Sequence, residues 1–101
     1  MPELRASIPH QLSKDEALQK IKTLLEQIKS QHADKISNLH QDWKDYTGLF
    51  SFLVMGFAVS GTLTVEETSV ELVSDIPLPA MLFKSKIKSM IEDEGTRLLN
   101  A

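Results

Sequence analysis

The chain is 101 residues long, has no cysteine, and sets 11 Lys and Arg against 14 Asp and Glu for a formal charge of -3. That length is one domain, able to bury roughly 65% of its unfolded surface and to fold without staples, and the lack of thiols removes disulfides and thiolate chemistry. The acidic balance argues against nucleic acid as a partner, because phosphate contacts supply most of the affinity of a duplex-binding domain.

The opening MPELRASIPH lacks the cationic start and apolar core of a signal peptide. The most apolar run, Leu49 to Val59, is interrupted by Ser51 and Gly56, and at about 11 residues it is too short to span a bilayer as a helix. The expectation is a soluble, cytoplasmic protein with no transmembrane segment.

Leu4, Ala6 and Ile8 alternate with Arg5 and Ser7, which predicts a short first strand that Pro9 ends or confines to an edge. Ser13-Lys14-Asp15-Glu16 then reads as a capping box, with Asp15 and Glu16 at the positive end of the helix dipole. Ala17, Leu18, Ile21, Leu24, Leu25 and Ile28 recur at helical spacing, so an amphipathic helix is expected to about Ser30, its stripe packing on the core. Lys35 to Lys44 alternates weakly and is read as an edge strand, followed by a turn at Asp45-Tyr46-Thr47-Gly48.

Leu49 to Val54 is apolar on both faces, as in a strand covered on each side or one that meets something else. Gly56 marks a turn or bulge. In Phe57 to Val65 the apolar Phe57, Val59, Leu63 and Val65 alternate with Ser60, Thr62 and Thr64, and Gly61 marks a bulge or a close backbone approach. Glu66-Glu67-Thr68 reverses the chain into Ser69 to Val73, completing a four-strand antiparallel meander. Pro77 and Pro79 hold Ile76 and Leu78 out of the helical region, so a final helix is expected from Pro79, with an apolar stripe of Ala80, Phe83, Ile87, Met90, Ile91 and Leu98. Gly95 weakens that helix by about 1 kcal/mol relative to alanine, so fraying or a bend is expected there.

The fold class is therefore α+β: an antiparallel sheet of about five strands with two helices on one face, order β-α-β-β-β-β-α, helix-grip-like, as a single domain spanning residues 1–101. At this length the space beneath the last helix is expected to be packed core, though a curled sheet would leave an apolar cavity there.

The opening strand, Pro9-His10-Gln11-Leu12-Ser13 with Glu16-Ala17, the isolated Trp43, Gly61-Thr62-Leu63-Thr64-Val65, and Leu78-Pro79 followed by Phe83-Lys84 and Ile87 together resemble the small bacterial polyhydroxyalkanoic acid system family. The likeness covers nearly the whole chain. It implies an intracellular bacterial protein linked to storage-polyester metabolism and brings no catalytic residues to carry over.

No reaction is specified by the residues. His10, His32 and His40 share no ligand spacing and are read as surface or capping groups, so no metal is assigned. Asp42 and Asp45 beside Trp43, and Glu66-Glu67, are read as solvated loop charges. No serine stands in a nucleophile elbow, and Gly56 and Gly61 do not fit a phosphate-binding fingerprint. The sequence therefore assigns no catalytic residue, no cofactor and no metal.

Lys84, Lys86 and Lys88 open the last helix while Glu92, Asp93 and Glu94 lie near its end, the reverse of what its dipole favours. The plain reading is a solvated face with Lys88 and Glu92 paired. The sharper one sets the lysines beside Met81, Leu82 and Phe83 as a rim for an anionic, apolar surface. The surface- or partner-binding candidates are Phe50, Phe52, Val54, Met81, Leu82, Lys84, Lys86 and Lys88.

Three readings stay open. The first is a non-enzymatic accessory protein of polyhydroxyalkanoate metabolism that binds a granule, lipid or protein surface. The second is a small carrier or enzyme with an apolar pocket for acyl chains. The third is a homodimeric interaction module that buries Phe50, Phe52 and Val54.

Overall fold

The two-residue period becomes one open antiparallel sheet. In the computed structural model, which describes residues 3–31, 33–54 and 56–100, the order is β1 (Glu3–Pro9), α1 (Lys14–Gln31), β2 (Ile36–Lys44), β3 (Thr47–Val54), β4 (Phe57–Val65), β5 (Ser69–Asp75), a 3-10 segment (Leu78–Phe83) and α2 (Lys84–Leu99). The strands lie in the order β1-β5-β4-β3-β2, so the last four form the expected meander and β1 returns to pair with β5 at one edge. Pro9 closes β1 on that edge, where its missing donor interrupts no ladder.

Register puts the apolar residues on one face. Leu4, Ala6 and Ile8 stand opposite Ser74, Leu72 and Val70; Leu63 and Val65 oppose Leu72 and Val70; Phe50 opposes Gly61. These residues join Ala17 and Ile21 of α1 and Leu99 of α2 in one core. Each fully buried aliphatic side chain, such as Leu4 or Leu99, contributes about 2 kcal/mol relative to an exposed one. Among the described residues no helix lies on the other face. Leu49 is exposed and Leu53 half-buried there, so β3 is covered on one side, not two.

Glycines seat the bulkiest of these contacts. The Phe50 ring lies over Gly61, where a Cβ would also meet the Val73 carbonyl, so the close approach expected at Gly61 is present. The Trp43 indole rests on Gly48 in the same way, and Gly48 is part of β3, the turn being confined to Asp45 and Tyr46. Gly95 faces Ile8, with 2.6 Å between a would-be Cβ and Ile8 Cδ1, so it brings α2 onto β1 and the helix continues through it to Leu99.

The capping box forms as read: the Glu16 N–H donates to Ser13 Oγ at 3.2 Å and the Ser13 N–H to Glu16 Oε1 at 3.4 Å. Beside it, the Tyr46 hydroxyl donates to Asp15 Oδ1 at 2.7 Å while Lys14 Nζ sits 4.2 Å from the ring centroid, tying α1 to the β2-β3 turn. His10 is not a surface group. It is 4% exposed, its Nδ1 accepts from the Leu12 N–H at 3.1 Å, and the neutral tautomer that allows this leaves Nε2–H to donate to the Glu66 carbonyl at 3.0 Å. The imidazole thereby joins the β1-α1 connection to the β4-β5 turn.

α2 runs alongside β1. Glu92 Oε2 accepts from the Ser7 N–H at 2.9 Å and Asn100 Nδ2 donates to the Pro9 carbonyl at 3.0 Å, satisfying edge groups of β1. Glu92 thus serves the sheet and does not pair with Lys88. The α-helix also starts at Lys84, not Pro79. Residues 78–83 form a 3-10 segment none of whose side chains is buried, so no packed face draws them into longer helical register. At the opposite edge, β2 shifts register between Ser37 and His40, with Asn38 in the left-handed region at φ 55°.

Gly61→Ala should destabilise the fold by about 1–3 kcal/mol, since backbone and ring must both yield. Urea unfolding followed by the fluorescence of Trp43, the single tryptophan, measures this, and an unchanged midpoint would contradict the seat. Tyr46 is the single tyrosine. Its hydrogen bond to Asp15, and then the charge of that carboxylate, hold its phenol above the ordinary value. An absorbance titration should show ionisation above that of free tyrosine, returning toward it in Asp15→Asn. Because the folded value is raised, this contribution to stability is present below the ordinary phenol range and fades as pH climbs through the folded value.

Candidate functional site

Apart from Ile87, which packs half-buried on the core, the large apolar side chains of residues 78–90 are ones the core does not use. Leu78 is 71% exposed, Met81 46%, Leu82 90%, Phe83 59% and Met90 57%. From Met81 to Lys86 six consecutive residues face solvent. The core takes a different set: Gly95 and Leu99 are the buried positions of α2, and Ile87 and Ile91 pack on the core half-buried. Phe83 and Met90, read from the sequence as part of a core stripe, therefore lie outside the core.

Strand register fixes where this segment sits. Pairing between β4 and β5 stops at Gly61–Ser74 and β5 ends at Asp75, so the segment leaves the sheet on the side toward which β4 runs on to Phe57 and the β3-β4 hairpin. Phe57 is half exposed, and its partner Val54 is half-buried on the helix-covered face. The apolar segment and the hairpin tip thus share one end of the molecule.

Lys84, Lys86 and Lys88 are all exposed, and none has an ion-pair partner among the described residues. No acidic side chain occupies the first turn of α2. Among the described residues the ion pairs are Arg5–Glu3 at 3.4 Å and Arg97–Glu94 at 2.6 Å, the second lowering the Glu94 carboxyl through its hydrogen bond to the guanidinium. The three cations stand at the end of α2 where the macrodipole is positive, so together they make that end an anion-attracting tip.

The other sequence candidates separate from this tip. Phe50 is buried on the core face and stacks on Phe52, centroids 6.1 Å apart, while Phe52 and Val54 are half-buried on the same face. Phe50 is thus unavailable as part of a spare apolar face. Met81, Leu82, Lys84 and Lys86 lie in one continuous exposed stretch, and Lys88 follows it past half-buried Ile87; exposed Leu78 and Met90 add apolar surface but were missed, Met90 because the apolar stripe grouped it with Ile87 and Ile91, which pack on the core while Met90 does not.

A second feature lies on the uncovered face. Leu49, Val73, Ser60 and Thr62 line a depression of about 500 Å³ that also touches Glu3, His40, Asp42 and Asp75. Glu3 is engaged by Arg5, and Asp75 accepts from Ser60 Oγ at 3.4 Å. His40 is exposed at this face, and His32 lies outside the described residues. Among the described residues no three His, Cys, Asp or Glu side chains gather as metal ligands would. No helix is long and apolar enough to cross a membrane. Beneath the C-terminal half of α2, Ile8 fills the space against Gly95, while a smaller depression of about 300 Å³ lies between α1 and α2, lined by Thr23, Leu24, Leu98 and Leu99.

A family model described as "Putative polyhydroxyalkanoic acid system protein" (PHA_gran_rgn) matches residues 4–99. No curated protein matches the chain. Among solved structures, the crystal structure of TTHA0849 from Thermus thermophilus is similar at 13% identity and a TM-score of 0.36, covering 97% of this chain and 92% of that one.

Proposed function

The chain belongs to the polyhydroxyalkanoic acid system family, and from that membership we propose that it is a non-enzymatic accessory protein of storage-polyester metabolism, acting by docking on the anionic, apolar surface of a lipid-coated granule. The observation that carries this reading is the unbroken exposure of Met81, Leu82 and Phe83 directly before Lys84, Lys86 and Lys88. Apolar side chains beside unpaired lysines suit an interface where the first enter the acyl boundary and the second meet phosphate headgroups.

The magnitudes support a reversible contact. Burying a Leu or Phe side chain contributes about 1.5–3 kcal/mol, and each lysine near an anionic leaflet adds about 1 kcal/mol. The lysine share is screened by salt, with a Debye length of about 10 Å at 0.1 M. A few such groups give binding that forms and releases, as an accessory factor on a growing and shrinking surface requires.

Purified protein should co-sediment with isolated polyester granules and with phosphatidylglycerol vesicles, and less with neutral phosphatidylcholine vesicles. Lys84→Glu, Lys86→Glu and Lys88→Glu combined should lower the vesicle affinity by about 100-fold, three lysine contributions of about 1 kcal/mol each being lost. Because those lysines hold no ion pair, the same variant should unfold within about 0.5 kcal/mol of the parent. Leu82→Ala with Phe83→Ala should also release the protein, with little dependence on salt. Absence of sedimentation with both granules and anionic vesicles would overturn the reading.

A further inference from the structure

The basic, apolar tip and the depression on the uncovered sheet face are complementary to each other. One is a run of exposed Met81, Leu82 and Phe83 followed by three lysines without ion-pair partners among the described residues. The other is a hollow walled by Leu49 and Val73 and edged by Asp42 and Asp75. In a chain of net charge -3, the charge that would answer these lysines is carried on its own surface.

Within one copy the two features cannot satisfy each other through the chain that joins them. Asp75 ends β5, and Pro77 is extended at φ -62° and ψ 146° before the 3-10 segment begins at Leu78. α2 then runs beside β1 on the covered side, held there by Glu92, Gly95 and Asn100. The tip therefore departs from the covered side while the depression opens on the other.

We propose that, in solution, two copies of this chain close on one another, each placing its Met81–Phe83 segment and following lysines in the Asp42 and Asp75 depression of its partner. Asp75 borders the hollow and the tip follows it along the chain from Leu78, so a two-fold axis near Asp75 brings tip to hollow twice, and the pair closes without leaving a surface for further copies. The arrangement covers the large apolar groups that a monomer leaves in water. It also hides the element that docks on the granule, so that self-association and docking compete; that competition rests on the docking reading, whereas the dimer does not.

Sedimentation velocity across a micromolar to submillimolar range tests the dimer. The parent should shift from monomer to dimer with concentration, and the shift should weaken at high salt. Asp42→Lys with Asp75→Lys should be monomeric, and so should Lys84→Glu with Lys86→Glu and Lys88→Glu. Mixed together, these two monomeric variants should form a one-to-one dimer, because each tip then faces a hollow of opposite charge. A parent that stays monomeric overturns the proposal, as does a dimer that either variant leaves unchanged, or a mixture that does not associate while both variants keep parental circular dichroism. For the competition, phosphatidylglycerol vesicles in excess are titrated with parent protein. The bound fraction should fall as protein concentration enters the dimer range and should stay flat for Asp42→Lys with Asp75→Lys. If no variant binds vesicles, the docking reading fails and the sedimentation result stands by itself; if binding is undiminished while dimers form, the competition fails.

Discussion

The contact of Gly95 with Ile8 decides how much of α2 the sheet holds. A side chain at that position would meet Ile8 Cδ1 at 2.6 Å and Cγ1 and Cγ2 at 3.0 and 3.1 Å, so either the Ile8 side chain must turn aside or the helix must stand off from β1 and strain the Glu92 and Asn100 hydrogen bonds to its edge. With glycine there, the last two turns settle onto β1 and Leu99 enters the core. The cost in helix propensity is about 1 kcal/mol, offset by burial and by two satisfied edge groups. Toward its other end α2 keeps Ile87 and Ile91 half-buried against the core, whereas the 3-10 segment before it buries none of its side chains, so its apolar residues are left in water.

One-sided burial extends the same logic to the sheet. Both helices draw on the face that carries Leu4, Ile8, Leu63, Val65, Val70 and Leu72, and the opposite face keeps Ser51, Ser60, Thr62 and Thr64 beside Leu49 and Val73. The surface therefore divides into a mostly polar sheet face edged by carboxylates and a helix end edged by lysines.

Where local chemistry decides structure, the sequence was sufficient. Ser13 and Glu16 lie three residues apart and cap each other without help from the rest of the chain; alternation in Phe57–Val65 needs only a partner face; Gly61 signalled a close approach that is there. Failures came where distance along the chain matters. Phe83 is exposed because residues 78–83 form a 3-10 segment with no buried side chain, and Met90 because the core takes Ile87 and Ile91 on either side of it; neither the break in the helix nor the choice of face can be read from a window around residue 83. His10 reads from the sequence as a surface or capping group because its partner carbonyl belongs to Glu66, far along the chain. The candidate site was half legible: Met81, Leu82 and the lysines were singled out by an arrangement that opposes the helix dipole, whereas Phe50 was misplaced because apolar residues on both faces of a strand do not reveal which face the helices take.

The kink in β2 has its own consequence wherever many copies gather. β1 is capped by α2, but β2 leaves its outer row of N–H and C=O groups unpaired with any other strand, the ordinary template for adding a stray strand from a neighbour. Left-handed Asn38 and the slipped register between Ser37 and His40 bend that template, so the regular stretch left beyond the slip is short, from His40 to Lys44. Copies crowded together would thus be shielded from zipping edge to edge into fibrils, because the irregularity that spoils the ladder leaves too short a straight template for a second strand to follow.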